Sequence, residues 1–253
     1  MQFYTFGESK NPTLLLIPGL GVSHEIFTPL INLVESQFFI ITVDIDGFLL
    51  NQQSHFTSVD DQAQKIIAYV KEQFHGTLDV AYGLSLGGKI LSRILELDEL
   101  RISHAIMDAA PLLPLSKIII QPLRYYQCFN VWTCYQFNWF WRFIFHSHYF
   151  DVLLDEVKKV YPSGKGQAFL DGYKSVYTTK LKSIKGNEIY FWYGSKEAFV
   201  AKPHIKHLLQ LFPSAHIEVF PKMNHGQLLV DKPEEIAKRI ITVSRKYSEK
   251  HIL

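Results

Sequence analysis

The chain is short of cysteine, of net charge and of long unbroken apolar runs, and each shortage closes off a class of protein. Cys128 and Cys134 are the two cysteines in 253 residues. That count excludes a disulfide-framed scaffold. Both thiols lie in an apolar, aromatic stretch, so they are expected as unbridged, buried core residues of a reducing compartment. The formal charge of +2 gives no case for a nucleic-acid partner, because backbone binding needs a concentrated basic face. Polar residues break up the most aromatic region well short of the roughly 20 apolar residues that a membrane-spanning helix needs. The opening residues, MQFYTFGESKNPT, carry neither a basic n-region nor an apolar h-region. No secretion signal is therefore expected, and a cytoplasmic location is the default. No H-E-x-x-H, no carboxylate–histidine cluster at ligand spacing, and no G-x-G-x-x-G or Walker loop after a strand is found. Neither a metal nor a nucleotide cofactor is expected.

What is present is enough apolar material for one large core, and a pattern that alternates in period. Leu14–Ile17 and Phe38–Val43 are short continuous apolar runs ending at Pro18-Gly19-Leu20-Gly21 and at Asp44. Such runs fit strands buried on both faces, as in a parallel sheet. Between Thr57 and Phe74 the apolar residues recur at helical spacing, with Ser58 and Asp61 as a capping box and Gly76 as the stop. Then come a strand at Leu78–Tyr82, a helix at Lys89–Leu97 and a strand at His104–Met107. Further on, strands at Glu188–Tyr193 and His216–Phe220 alternate with helices at Pro203–Phe212 and Pro233–Tyr247, and Gln2–Phe6 adds an edge strand. This order predicts an α/β fold, with a mainly parallel central sheet and helices on both faces. The core is expected to comprise residues 1–111 and 186–253.

The intervening residues, 112–185, read differently. Thirteen aromatic side chains fall between Arg124 and Phe150, interrupted by Gln127, Asn130, Thr133 and Gln136 at steps of three, as on a helix lying across a surface. A second helix is expected at Phe150–Tyr161, with a turn at Tyr161-Pro162-Ser163-Gly164. This insert reads as a helical lid over one end of the sheet.

The strongest chemical signal is Gly83-Leu84-Ser85-Leu86-Gly87. It follows an apolar strand and opens a helix, the context in which G-x-S-x-G marks a nucleophile on a tight, strained turn. Glycines flank the serine because strand and helix approach too closely for side chains, and the helix N-terminus favours developing negative charge. A serine hydroxyl needs an adjacent base. Of eleven histidines, His225 in Met223-Asn224-His225-Gly226 follows the last strand and precedes the last helix, which places it at the same sheet edge as Ser85. His24 can line the same pocket but reads as structural, as do His146 and His148 in the insert.

Over roughly residues 12–111 and 186–245 the chain resembles the α/β-hydrolase superfamily, with a lid inserted after the sixth family strand. The resemblance implies a triad in the order nucleophile, acid, histidine. The family's G-x-x-D site is here Gly194-Ser195-Lys196-Glu197, so Glu197 inherits the acid role; Asp108, at the end of the preceding strand, is the alternative. It also implies an oxyanion hole from the backbone amides of Leu86 and of Leu20, with Pro18-Gly19 where many relatives have His-Gly. Asp44-Ile45-Asp46-Gly47-Phe48 is similar to the family's D-x-x-G-F turn and is read as structural. The implied activity is hydrolysis of an ester-like bond in a small apolar or aromatic substrate through an acyl-enzyme, without a cofactor. Thioester or carbon–carbon cleavage, acyl transfer, and a non-enzymatic ligand receptor are the alternatives, as is lid contact with a membrane surface.

Overall fold

The computed structural model describes residues 1–186 and 188–250, with side chains through Arg245. Asn187 and residues 251–253, at the edges of the expected second core segment, lie outside the described residues. Among the described residues, seven strands form one sheet: β1 (Gln2–Phe6), β2 (Thr13–Ile17), β3 (Phe39–Asp44), β4 (Thr77–Leu84), β5 (Arg101–Asp108), β6 (Glu188–Gly194) and β7 (His216–Phe220). Their order is β1-β3-β2-β4-β5-β6-β7. β1 runs antiparallel to β3, with Gln2 opposite Asp44, and every other pairing is parallel.

The apolar runs work because alternate side chains enter opposite layers. In β2, Leu15 and Ile17 join the layer with α2 (Val59–Phe74) and α3 (Leu86–Leu97). Leu14 and Leu16 join the opposite layer with α1 (Thr28–Val34) and α9 (Pro233–Lys250). Ser58 caps α2 as expected, accepting from the Asp61 amide at 3.1 Å. The left-handed turn that ends the helix begins one residue before Gly76, at His75 (φ 51°).

Two helices start earlier than their residue types suggest. α3 begins immediately after Ser85, although Gly87 and Gly88 are poor helix formers. A Cβ on Gly87 would overlap the Ile17 carbonyl oxygen, and one on Gly88 would lie 2.7 Å from the Ala110 side chain. Packing there leaves room for nothing larger, and it overrides propensity. α7 (Ala198–Leu211) likewise begins ahead of Pro203, which sits inside it.

Between β5 and β6 lie α4 (Lys117–Gln136), α5 (Asn138–Phe145) and α6 (His148–Thr178). The turn expected at Tyr161–Gly164 is instead helical, and the break falls at Lys165 (φ 52°, ψ −156°). The displacement has a tertiary cause. Ser163 Oγ accepts from the Leu49 amide at 3.2 Å and pairs with Ser54 Oγ at 3.0 Å. A Cβ on Gly164 would come within 2.7 Å of the Gly47 carbonyl oxygen. The Pro-Ser-Gly segment thus stays helical because it docks on the Gly47 turn. Cys128 and Cys134 are unbridged, but half-buried rather than buried. Cys128 Sγ donates to the Gly166 carbonyl at 3.3 Å, which holds it against α6 near the break.

Candidate active site

Parallel strands deliver their following loops to one sheet edge. Here that edge gathers Leu20 after β2, Ser85 after β4, Ala109 after β5, Glu197 after β6 and His225 after β7. All five line one cavity of about 410 Å³, with Leu123 and Gln127 of α4 and Tyr173, Val176 and Tyr177 of α6 on its other walls.

Ser85 sits at φ 53°, ψ −109°, a left-handed conformation rarely taken by a residue with a side chain. Such strain costs of order 1–3 kcal/mol and persists only where the surroundings impose it. They do so here. The Ser85 amide donates to the Asp108 carbonyl at 2.7 Å, and the Lys89 amide to the Ser85 carbonyl at 2.9 Å. A Cβ on Gly83 would overlap the Gly87 carbonyl. Leu86 opens α3, so its amide belongs to the first turn, which has no intrahelical acceptor. A Cβ on Gly19 would stand in ordinary contact with Ser85 Cβ, at 3.7 Å, so the Leu20 loop lies beside the serine. The Leu20 side chain packs against Gly172 of α6.

His225 Nδ1 lies 2.7 Å from Glu197 Oε2. The other carboxylate oxygen accepts from the Gly194 amide at 3.1 Å. The glutamate therefore curls back on its own turn, which accommodates its extra methylene. The loop carrying His225 is tied on several sides: the Tyr149 hydroxyl donates to the His225 carbonyl at 2.6 Å, the Lys196 amide to the Met223 carbonyl at 3.1 Å, and the Asn224 amide to Gln227 Oε1 at 2.9 Å. The protein around His225 disfavours a charged imidazole. The hydrogen bond and charge of Glu197, with a smaller contribution from Asp108, outweigh this and raise its pKa above the usual value.

Asp108 is buried and accepts from the Tyr82 hydroxyl at 2.6 Å. Burial, opposed by that hydrogen bond, raises its pKa to about 7. Of the two candidate acids, the structure brings Glu197 onto the imidazole and turns Asp108 toward Tyr82.

His24 does not line the cavity. Its Nδ1 lies 2.9 Å from Asp44 Oδ1, and its ring stacks on Tyr4. Asp44 also accepts from the His24 amide at 2.7 Å, and Gly47 is left-handed at φ 86°. His146 ends α5 in a left-handed conformation, and His148 pairs with Asp231 at 3.1 Å.

One histidine of the cavity wall escaped the sequence. His204 of α7 accepts the Leu112 and Leu113 amides at Nδ1, at 3.2 and 3.1 Å. Burial, with the Lys89 and His207 charges, lowers its pKa to about 4. It is a neutral imidazole whose proton sits on Nε2. No local motif marked it, since its partners come from a loop some ninety residues away.

A strained serine after the central strand, a histidine–carboxylate pair across one cavity and a doubly wound parallel sheet define the hydrolase class of α/β proteins. The sequence profile of the alpha/beta hydrolase family matches residues 14–239, and the chain belongs to that family. No curated protein matches the sequence. Among solved structures, an alpha/beta hydrolase family protein from Desulfitobacterium hafniense superposes with a TM-score of 0.80 at 17% identity, covering 96% of this chain and 99% of that one. A thermophilic esterase from Thermogutta terrifontis gives 0.74 at 17% identity, covering 97% and 93%. A bromoperoxidase from Bacillus anthracis gives 0.75 at 17% identity, covering 96% and 94%. Likeness at that identity extends to the fold, and proteins named for different reactions share it.

Proposed function

We propose that the chain is a serine hydrolase that cleaves ester-like bonds of small, mainly apolar substrates through an acyl-enzyme. The observation that carries this reading is the joint placement of Ser85 on its strained turn and the His225–Glu197 pair on the wall of the same cavity. His225 takes the Ser85 proton as Oγ attacks the carbonyl carbon. The amides of Leu86 and Leu20 hold the oxyanion, and His225 returns the proton to the leaving group. Water, deprotonated by His225, then attacks the acyl-enzyme and releases the acid. Glu197 keeps the imidazole in the tautomer with its proton on Nδ1 and stabilises the charge it gains.

The cavity supports a small apolar substrate. Leu123, Val176, Tyr173, Tyr177 and Phe191 line it, and its volume suits a compact acyl or aryl ester. Hydrolysis of p-nitrophenyl esters of graded chain length, with matched thioesters, tests the reading. Turnover should be confined to short and medium chains, and Ser85→Ala should lower it by roughly a million-fold, as when a serine nucleophile is removed elsewhere. A folded Ser85→Ala protein that retains wild-type turnover would refute the mechanism.

A further inference from the structure

The outer surface of the insert does not look like the outer surface of a soluble helix. On α4, Ile118, Pro122, Tyr125, Phe129 and Trp132 follow one another at steps of three and four residues. They therefore form a single stripe along the helix, and it faces solvent. On α5, Trp139, Phe140, Phe143 and Ile144 do the same. Trp139 is 72% exposed and Phe143 68%. The opposite face of α4 is apolar as well, with Ile120 buried and Leu123 and Val131 packed inward. A helix with apolar stripes on two faces, separated by the row of Gln127, Asn130, Thr133 and Gln136, has one more apolar face than the core behind it can cover, and an exposed patch of this kind marks an interaction site.

Charge selects the occupant. From Ala109 to Phe150 there is no Asp or Glu, whereas Lys117, Arg124 and Arg142 all fall within that span. Arg142 is turned back onto Asp151 and Asp155 of α6. The charge left on the patch is that of Lys117 and Arg124, the latter lying over the exposed Tyr125 ring at 4.9 Å from its centroid. A symmetric pairing of two copies would set these cations against each other, with no acid in the segment to meet them. Anionic lipid headgroups meet them directly, and Trp, Tyr and Phe beside basic residues are the composition of a helix lying in the bilayer interface. Among the described residues no helix is long and apolar enough to cross a membrane, so contact would be in the interface plane.

We propose that the exposed face of α4 and α5 docks this protein on the surface of an anionic lipid bilayer. The same α4 presents Leu123 and Gln127 to the cavity from its other side, so docking sets the cavity wall one helix away from the lipid.

Co-sedimentation with vesicles tests this directly. Wild-type protein should pellet with vesicles of phosphatidylglycerol and phosphatidylcholine in equal parts, and at least several-fold less with phosphatidylcholine alone. The double variant Trp139→Ser/Phe143→Ser should lose at least tenfold in vesicle affinity while keeping wild-type melting and wild-type hydrolysis of a soluble ester. Ser85→Ala should bind as wild type does, which separates docking from the proposed hydrolysis. Folded wild-type protein that stays in the supernatant at low salt would overturn the proposal, as would undiminished binding of the double variant. A wild-type dimer in sedimentation velocity, abolished by the double variant, would assign the face to a second copy instead.

Discussion

At the carboxyl edge of the sheet, backbone meets backbone so closely that Gly83, Gly87, Gly88 and Gly194 could not accept even a methyl group. Across the cavity, α4, with α5 packed beside it, leaves Tyr125, Phe129, Trp139 and Phe143 in the open. The two regions face each other over one cavity and are built under opposite constraints. The sheet edge leaves no slack between its backbones, as a group that must hold a strained serine requires. The insert's outer side chains meet no such constraint. Close packing belongs to the sheet edge, and exposed aromatic area to the insert.

The sharpest way to break that comparison lies at the two acids. Glu197→Gln should lower kcat/KM by about 10⁴-fold, the scale seen when a triad acid is neutralised in place, because the Gly194 amide still holds the side chain while the imidazole tautomer is lost. Asp108→Asn should cost less than tenfold, since an Asn oxygen still accepts from Tyr82. The reverse ranking, measured on a soluble ester, would move the acid to Asp108.

A second contrast is read in stability. Gly88→Ala forces a Cβ against Ala110 and the Gly83 carbonyl and should destabilise by about 1–3 kcal/mol. Trp139→Ser on the insert should stay within about 0.5 kcal/mol of wild type in urea melts. Equal effects would mean that the insert is as tightly determined as the sheet edge.

The smallest expected effect is a displaced pH profile. The base form of His225 is neutral, and its pKa is raised by Glu197 against the opposition of its surroundings. The kcat/KM should therefore rise with pH through a midpoint above about 6.5, the usual imidazole value. In Glu197→Gln that midpoint should fall. Stability runs the other way: the Glu197–His225 pair favours the fold below the unfolded imidazole pKa, and this contribution is lost as pH rises through the folded one. A midpoint unmoved by Glu197→Gln would detach the carboxylate from the base.

The same division explains what was legible in the sequence. Ser85 and His225 stand in short local patterns whose meaning depends on the strands and helices next to them, and those were readable from apolar periodicity. Glu197 stands two residues beyond the Gly194-Ser195 turn, and that spacing was readable, whereas the Gly194 amide that holds its carboxylate became visible only in the folded turn. The start of α3 was misplaced because its glycines obey packing rather than propensity, and that of α7 because Pro203 lies inside the helix rather than in its first turn. The break at Lys165 was misplaced because Ser163 and Gly164 answer to the distant Gly47 turn. His204 was invisible for the same reason: its role is set by amides across the fold. Where a neighbour in sequence decides, the chain can be read; where a neighbour in space decides, it must be folded first.

The central claim is that Ser85 is a nucleophile activated by His225, and a fluorophosphonate probe followed by intact-mass and peptide mass spectrometry tests it most directly. One adduct per chain, located on Ser85, absent in Ser85→Ala and strongly slowed in His225→Ala, is the expected result. A folded wild-type protein that takes no label, or labels equally well without His225, would contradict it.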